Sequence, residues 1–180
     1  MASPRRIRKR IVAIRNIDKI TGTMERVAQS RAMKLQGRLT GARAFRDRVT
    51  HLIAAAVRCD PAAADELASH PLARAAREAR RTMLVVVSSN RGLCGGYNAR
   101  VLQAARRRAA EIEGEGGEAL FAVIGRRGAG SLRYAGRAAA YAVDDVDEAT
   151  PYARWNEVMG ELIGRFAAGG LGAMEVVSTR

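Results

Sequence analysis

The residues best suited to chemistry are the glycines of a loop at 88–98 (SSNRGLCGGYN), between a predicted strand and a predicted helix. Backbone N–H groups in such a loop can hold a phosphate at the N-terminus of a helix. However, Gly92, Gly95 and Gly96 form G-x-x-G-G, which is neither the dinucleotide-binding G-x-G-x-x-G nor a P-loop. A second glycine cluster, at 125–130, fails the same test. The glycine spacing therefore argues against a nucleotide cofactor.

Acidic side chains cluster after a predicted third strand, where Asp144, Asp145 and Asp147 are candidates for a metal site or a general base. Neither a nucleophile nor a histidine accompanies them, so a solvated acidic loop is favoured and a small enzyme is the weakest alternative. Cys59 and Cys94 lie 35 residues apart and lack a C-x-x-C spacing, which indicates two free thiols. We expect no metal, no cofactor and no catalytic residue.

An alternation of strands and helices would position these residues. The run at 82–88 (TMLVVVS) is continuous and rich in β-branched residues, which is typical of a strand buried on both faces. Further strands are predicted at 119–124, 138–143 and 173–178, and helices at 98–112, from about 128 to 134 and at 151–167. On the last helix, Trp155, Val158, Leu162 and Phe166 share one face. The pattern predicts an α/β fold, a Rossmann-like domain with a mostly parallel sheet.

The first third of the chain predicts one long helix, at 4–57. Ser3 is a suitable N-cap and Pro4 a suitable first residue, whereas Asp60 and Pro61 mark the end of the helix. Apolar residues recur about every 3.5 positions, which is the spacing of a coiled-coil seam, and the helix would be roughly 80 Å long. The seam comprises Ile7, Ile11, Ile14, Ile17, Ile20, Met24, Val27, Ala28, Leu35, Leu39, Ala42, Phe45, Val49, Leu52 and Ala56.

The chain therefore divides into three predicted segments. Residues 1–58 form the long basic coiled-coil helix, 59–81 form a connector of two short helical pieces broken at His70-Pro71, and 82–180 form the Rossmann-like domain. No apolar run approaches the roughly 18 residues that a membrane-spanning helix needs.

Positive charge is concentrated in the long helix. Residues 1–50 contain 14 Lys or Arg and three Asp or Glu, a net charge of +11 in a chain whose total is +13. A helix of one sign repels itself unless its surroundings are acidic, which predicts an acidic partner. A sequence pI near 11.2 also suits a nucleic-acid-binding protein. The continuous apolar seam disfavours that alternative, and Tyr97 and the few other aromatic residues do not interleave with the basic ones.

Two motifs resemble one family, the gamma subunits of F-type ATP synthases. The segment 7–36 is similar to the N-terminal helix of that family in its pattern R-I-x(4)-N-x-x-K-I-T-x-x-M-x-x-V-A. The residues that match are Arg10, Ile11, Asn16, Lys19, Ile20, Thr21, Met24, Val27 and Ala28. The more specific motif is the loop, which resembles the family signature S-D-R-G-L-C-G-G-[FY]-N with Asn90 in place of the usual Asp.

The resemblance implies a non-catalytic rotor subunit, the central stalk that transmits rotation driven by proton flow. In that family the N-terminal helix is half of an antiparallel coiled coil inside the ring of alpha and beta subunits. The Rossmann-like domain sits with the epsilon subunit on the membrane rotor ring. The expected partners are therefore these subunits and no nucleic acid. The expected location is the cytoplasmic face of the bacterial inner membrane, with peripheral association through the complex.

The resemblance also implies the contact residues, because the family's helix and loop meet acidic loops of the beta subunits. Carried over to this sequence, they are Arg8, Arg10, Met24, Arg26, Arg91, Gly92, Leu93, Cys94, Gly95 and Gly96. One departure concerns the second half of the shaft, which follows the last predicted strand in the family, whereas this sequence ends at Arg180. We expect either a truncated chain or a separate helix that supplies the other half.

Overall fold

A long helix dominates the N-terminal part of the chain. The computed structural model describes residues 4–70, 72 and 80–179, which fall into two units, Met1–Asp60 and Pro61–Arg180. In the first unit, helix α1 spans Pro4–Cys59 without a break, which confirms the predicted long helix. The predicted N-cap, Ser3, lies outside the described residues.

The α1 helix buries none of its side chains within its described length. The apolar seam is exposed except at Val49, which is half-buried, and the exposed fractions of its large apolar residues run from 41% for Leu35 to 73% for Phe45. The hydroxyls of Thr21, Thr23 and Thr50 each donate to the backbone carbonyl four residues earlier, at 2.9 to 3.0 Å, as threonine hydroxyls can within a helix. The helix thus presents apolar surface that packing within its own unit does not cover.

The second unit begins with helix α2, Pro61–Ser69. It is the first of the two short helical pieces predicted for the connector. The second predicted piece falls mostly on residues 71 and 73–79, which lie outside the described residues.

Four parallel strands form the sheet of the second unit, in the order β3-β2-β1-β4. The strands are β1 Arg81–Val87, β2 Glu118–Ile124, β3 Tyr141–Val143 and β4 Ala173–Val177. The helices between them are α3 Tyr97–Gly114, α4 Arg126–Tyr134 and α5 Tyr152–Ala167. The predicted α/β class and parallel sheet are confirmed.

The third strand was predicted too long, because it begins at Tyr141 instead of residue 138. Helix α4 first closes with a turn in which Gly136 has φ +72° and the N–H of Arg137 donates to the carbonyl of Leu132 at 3.0 Å. The alanine-rich run after this turn supplies apolar character without the β-branched residues that favour a strand.

Two apolar cores lie on opposite faces of the sheet. Leu84 and Val86 of β1 belong to the core that α3 and α4 cover, whereas Met83 and Val85 belong to the core that α5 covers. This alternation along β1 confirms a strand buried on both faces. On α5, Val158 and Leu162 are buried, while Trp155 and Phe166 pack against the same core, as the helix periodicity predicts. The unit therefore has three layers, α/β/α.

In the described parts of the chain, every helix is too short or too polar to cross a lipid bilayer.

Candidate functional site

The glycine-rich loop follows β1 at the carboxyl edge of the sheet, and Ser88 joins it to the next strand. The N–H of Ser88 donates to the carbonyl of Ile124 at 2.7 Å, and its hydroxyl accepts from the N–H of Gly128 at 2.9 Å. A Cβ on Gly125, where φ is +107°, would stand 2.6 Å from the Ser88 hydroxyl oxygen, and one on Gly128 would stand 2.5 Å from it. The second glycine cluster therefore permits close packing of backbone against Ser88.

A polar cluster inside the loop fixes its shape. The side-chain oxygen of Asn98 accepts from the N–H of Ser89 at 3.0 Å, and its amide nitrogen donates to the Ser89 hydroxyl at 2.8 Å and to Cys94 Sγ at 3.1 Å. The Ser89 hydroxyl donates in turn to the carbonyl of Arg91 at 2.6 Å. Since Cys94 is half-buried in this cluster, its thiol supports the loop from within.

Tyr97 anchors the end of the loop, at the start of α3. Its hydroxyl donates to the carbonyl of Val87, the last residue of β1, at 2.9 Å. Burial, and to a lesser degree the neighbouring Cys94, raises the pKa of the Tyr97 hydroxyl above its usual value. The hydroxyl therefore stays protonated and available as a donor at neutral pH.

The tip of the loop is exposed and has an unusual backbone. Leu93 has φ +60°, uncommon for a residue with a side chain, and 86% of that side chain is exposed. Gly95 has φ +55°, and Arg91, Gly92 and Gly96 are also exposed. The sequence motif included Leu93, but only the structure reveals this presentation.

Asn90 ties the loop to the two neighbouring strand ends. Its side-chain oxygen accepts from the N–H of Arg126 at 2.9 Å, and its amide nitrogen donates to the carbonyl of Val146 at 2.8 Å. An aspartate, the usual residue of the family signature, would accept the first bond but could not donate the second. The substitution is thus accommodated by a bond that needs an amide.

The acidic stretch has structural partners. Asp144 pairs with Arg126 at 3.1 Å, and Asp145 pairs with Arg154 at 2.9 Å. Hydrogen bonds from the N–H of Ala149 and the hydroxyl of Thr150, and then the charge of Arg91, hold the pKa of the Asp147 carboxyl below its usual value. Among the described residues, no group of three or more His, Cys, Asp or Glu is arranged to hold a metal ion. These carboxylates therefore order the loops at the sheet edge.

The predicted contact residues of the long helix lie in the first unit, whereas 91–96 lie in the second. Arg8, Arg10, Met24 and Arg26 are all exposed on α1, and the Arg26 guanidinium donates to the carbonyl of Gly22 at 3.3 Å. Apart from the half-buried Cys94, both sets are therefore accessible on their own units. That they serve one interface stays a prediction.

Comparison with known proteins identifies close relatives over almost the whole chain. The profile of a family described as ATP synthase matches residues 3–180. An ATP synthase gamma chain of Gemmatimonas aurantiaca is 34% identical over 176 residues, which are 98% of this chain and 59% of that protein. The gamma chain of Frankia casuarinae is 34% identical over 97% of this chain and 58% of its own length. That of Synechococcus elongatus is 30% identical over 100% of this chain and 56% of its own length. The chain thus spans less than two thirds of the length of these curated relatives.

Proposed function

Because the chain belongs to the family of ATP synthase gamma chains, we propose that it forms part of the central stalk of an F-type ATP synthase. It would transmit rotation, driven by proton flow through a membrane rotor ring, to the ring of alpha and beta subunits. The observation that carries this proposal is helix α1, 56 residues long, with its apolar seam exposed. A rod of this kind transmits torque once a second helix and a surrounding ring hold it.

The exposed seam of α1 needs a second helix to cover it. Eleven of its residues, spread from Ile7 to Leu52, are more than 40% exposed. Burying the exposed part of one such isoleucine stabilises an assembly by about 1 kcal/mol, so a full seam supports a firm coiled coil. We propose an antiparallel helix as this partner, with 1–58 as half of the shaft, 59–81 as a connector and 82–180 as the domain beside it.

The charge of α1 supports acidic surroundings within the ring. Only three acidic residues accompany the 14 basic ones in residues 1–50, and Arg46 forms its ion pair with the adjacent Asp47 at 2.7 Å. We propose that acidic loops of the beta subunits meet the predicted contact residues: Arg8, Arg10, Met24, Arg26, Arg91, Gly92, Leu93, Cys94, Gly95 and Gly96.

The subunit itself would be non-catalytic. Gly125 and Gly128 of the second glycine cluster pack against Ser88, and the exposed Leu93 at the loop tip would face a partner protein. We propose the epsilon subunit and the membrane rotor ring as the partners of the domain. The complex would then associate peripherally with the cytoplasmic face of the bacterial inner membrane.

Co-assembly with alpha and beta subunits tests this function. The purified chain is mixed with alpha and beta subunits from the same organism, and the complexes are weighed by native mass spectrometry. We expect one copy of the chain in each alpha-beta ring, and a mixture in which rings and chain stay separate at low salt would contradict the proposal. An oligonucleotide of random sequence serves as competitor. If it displaces the rings completely from the chain, the alternative of a nucleic-acid-binding protein is favoured.

A further inference from the structure

An open groove of about 600 Å³ runs beside helix α4, on the face of the sheet covered by α3 and α4. Its lining includes Arg106 of α3 and Arg126, Arg127, Ser131 and Tyr134 of α4, with Asn90 contributing from the glycine-rich loop. Three of these residues are arginines and none is acidic. The groove lies within the second unit and does not involve α1.

Two of the three arginines that line the groove form no ion pair with a described residue, so their guanidinium groups can bind an acidic partner. Arg126 is paired with Asp144 at 3.1 Å, whereas Arg106 and Arg127 are exposed and form no ion pair with any residue that the structure describes. A Cβ on Gly92 would stand 3.3 Å from an Nη atom of Arg127, so this guanidinium lies against the glycine-rich loop. The groove and the exposed loop tip are therefore adjacent.

The lining combines this charge with an exposed aromatic ring. Tyr134 is 96% exposed at the last turn of α4, and Ser131 lies one turn before it. Tyrosine and arginine are enriched at protein interfaces, where the ring supplies contact area and the guanidinium binds carboxylates in pairs of hydrogen bonds. A single phosphate would fill a small part of the groove and leave the ring unused.

We propose that this groove is a docking site for an acidic protein segment, which places carboxylates against Arg106 and Arg127 and an apolar side chain against Tyr134. The inference extends the acidic contact proposed for residues 91–96 to a second, neighbouring surface of the domain, and its test uses this chain alone. If the chain fails to assemble with alpha-beta rings, the groove proposal is unaffected. If the groove fails to bind an acidic peptide, the result of the ring-assembly test is unaffected.

The test uses a fluorescein-labelled hexapeptide of five glutamates and one central leucine, titrated into the full-length chain. Anisotropy gives the affinity, and backbone amide shifts locate the peptide. We expect shifts at residues 126–134 and around 90–92. Arg106→Ala and Arg127→Ala should each weaken binding about tenfold, the loss expected for one charge-assisted contact.

Arg107→Ala on α3 and Arg133→Ala on α4 are the controls for net charge, and Arg107 differs from Arg106 in that it pairs with Glu111 at 3.8 Å. Each removes one exposed positive charge from the same helix but lies outside the groove lining, so each should weaken binding less than twofold. Equal losses in all four variants would show attraction by net charge alone and overturn the proposal. Tighter binding of inorganic pyrophosphate, or of an oligothymidylate, with the same dependence on Arg106 and Arg127 would assign the groove to phosphate groups and also overturn it.

Discussion

The hydroxyl of Ser88 accepts a hydrogen bond from the backbone N–H of Gly128 at 2.9 Å, and a Cβ on Gly128 would stand 2.5 Å from the same oxygen. This contact joins the end of β1 to the first turns of α4. The glycine-rich loop begins at the end of β1, and α4 supplies most of the lining of the groove. The packing of Ser88 against Gly128 therefore supports the position of both surfaces.

Replacing Gly128 tests this packing directly. Gly128→Ala places a methyl group against Ser88 and should lower the free energy of unfolding by about 1–3 kcal/mol, as overpacking of a tight core does. Gly130→Ala is the control in the same helix, because nothing lies within 4 Å of its Cβ, and it should be neutral or stabilise by up to ~1 kcal/mol. Urea unfolding followed by the fluorescence of Trp155, the single tryptophan, measures both. Equal stability of the two variants would contradict the described contact.

The pairing of Arg108 with Glu175 predicts a pH dependence of stability. The guanidinium donates twice to the carboxylate, at 2.8 Å each, and these hydrogen bonds hold the pKa of Glu175 below its usual value. A carboxyl with a lowered folded pKa stabilises the fold above its unfolded pKa, and this stability is lost as the pH falls through the folded pKa.

Glu175→Gln should therefore unfold at lower urea concentration than the wild type at pH 7, and the difference should shrink as the pH falls below about 4.5. Glu161→Gln, which removes an exposed carboxylate that pairs with Arg165 within α5, should show a smaller difference at pH 7. A constant gap between wild type and Glu175→Gln from pH 7 to pH 3 would rule out this role for the pair.

The sequence predicts those features that depend on neighbouring residues. The continuous run of β1 predicts its burial on both faces, and the spacing from Trp155 to Phe166 predicts the buried face of α5. Strand order requires long-range pairing, so the placement of β4 beside β1 could not be read from periodicity. The bond from Gly128 to Ser88 and the pair of Arg108 with Glu175 join residues 40 and 67 positions apart, and they exist only once the sheet register is set.

The sequence predicts which residues belong to the candidate site, and the structure adds the backbone conformation and the hydrogen bonds of the loop. The motif R-G-L-C-G-G drew attention to the charge of Arg91, while the positive φ of Leu93 depends on the bonds that Ser89 and Asn98 make around the loop. Asn90 appeared only as a departure from a pattern, and its two hydrogen bonds explain why an amide serves there.

The exposed seam of α1 predicts self-association of the isolated chain or fraying of the helix. Ile14→Asp places a charge in the seam and should reduce any self-association measured by sedimentation, whereas Val12→Asp makes the same change off the seam and should leave it unchanged. The two side chains are 64% and 56% exposed, so they are closely matched. Strong protection of α1 from hydrogen exchange in a proven monomer would contradict an uncovered seam.

Substitution of Arg91 distinguishes a contact with a partner subunit from a structural role within the loop. Its carbonyl accepts the Ser89 hydroxyl at 2.6 Å, while its side chain is exposed and has no hydrogen bond or ion pair within the ranges described. Arg91→Ala should therefore leave the melting temperature of the domain nearly unchanged. In an assembled synthase it should weaken the coupling of proton flow to ATP synthesis, and Arg133→Ala is the matched control. A domain that melts early while coupling stays intact would sink the contact assignment.

Rotation is the most direct test of a central-stalk role. Alpha-beta rings assembled with this chain are fixed to glass, and a bead is attached through biotin on the exposed thiol of Cys59. If the chain is the central stalk, the bead turns in one direction when ATP is added and stops when ATP is removed. Rings that contain the chain and hydrolyse ATP while the bead stays still would contradict it.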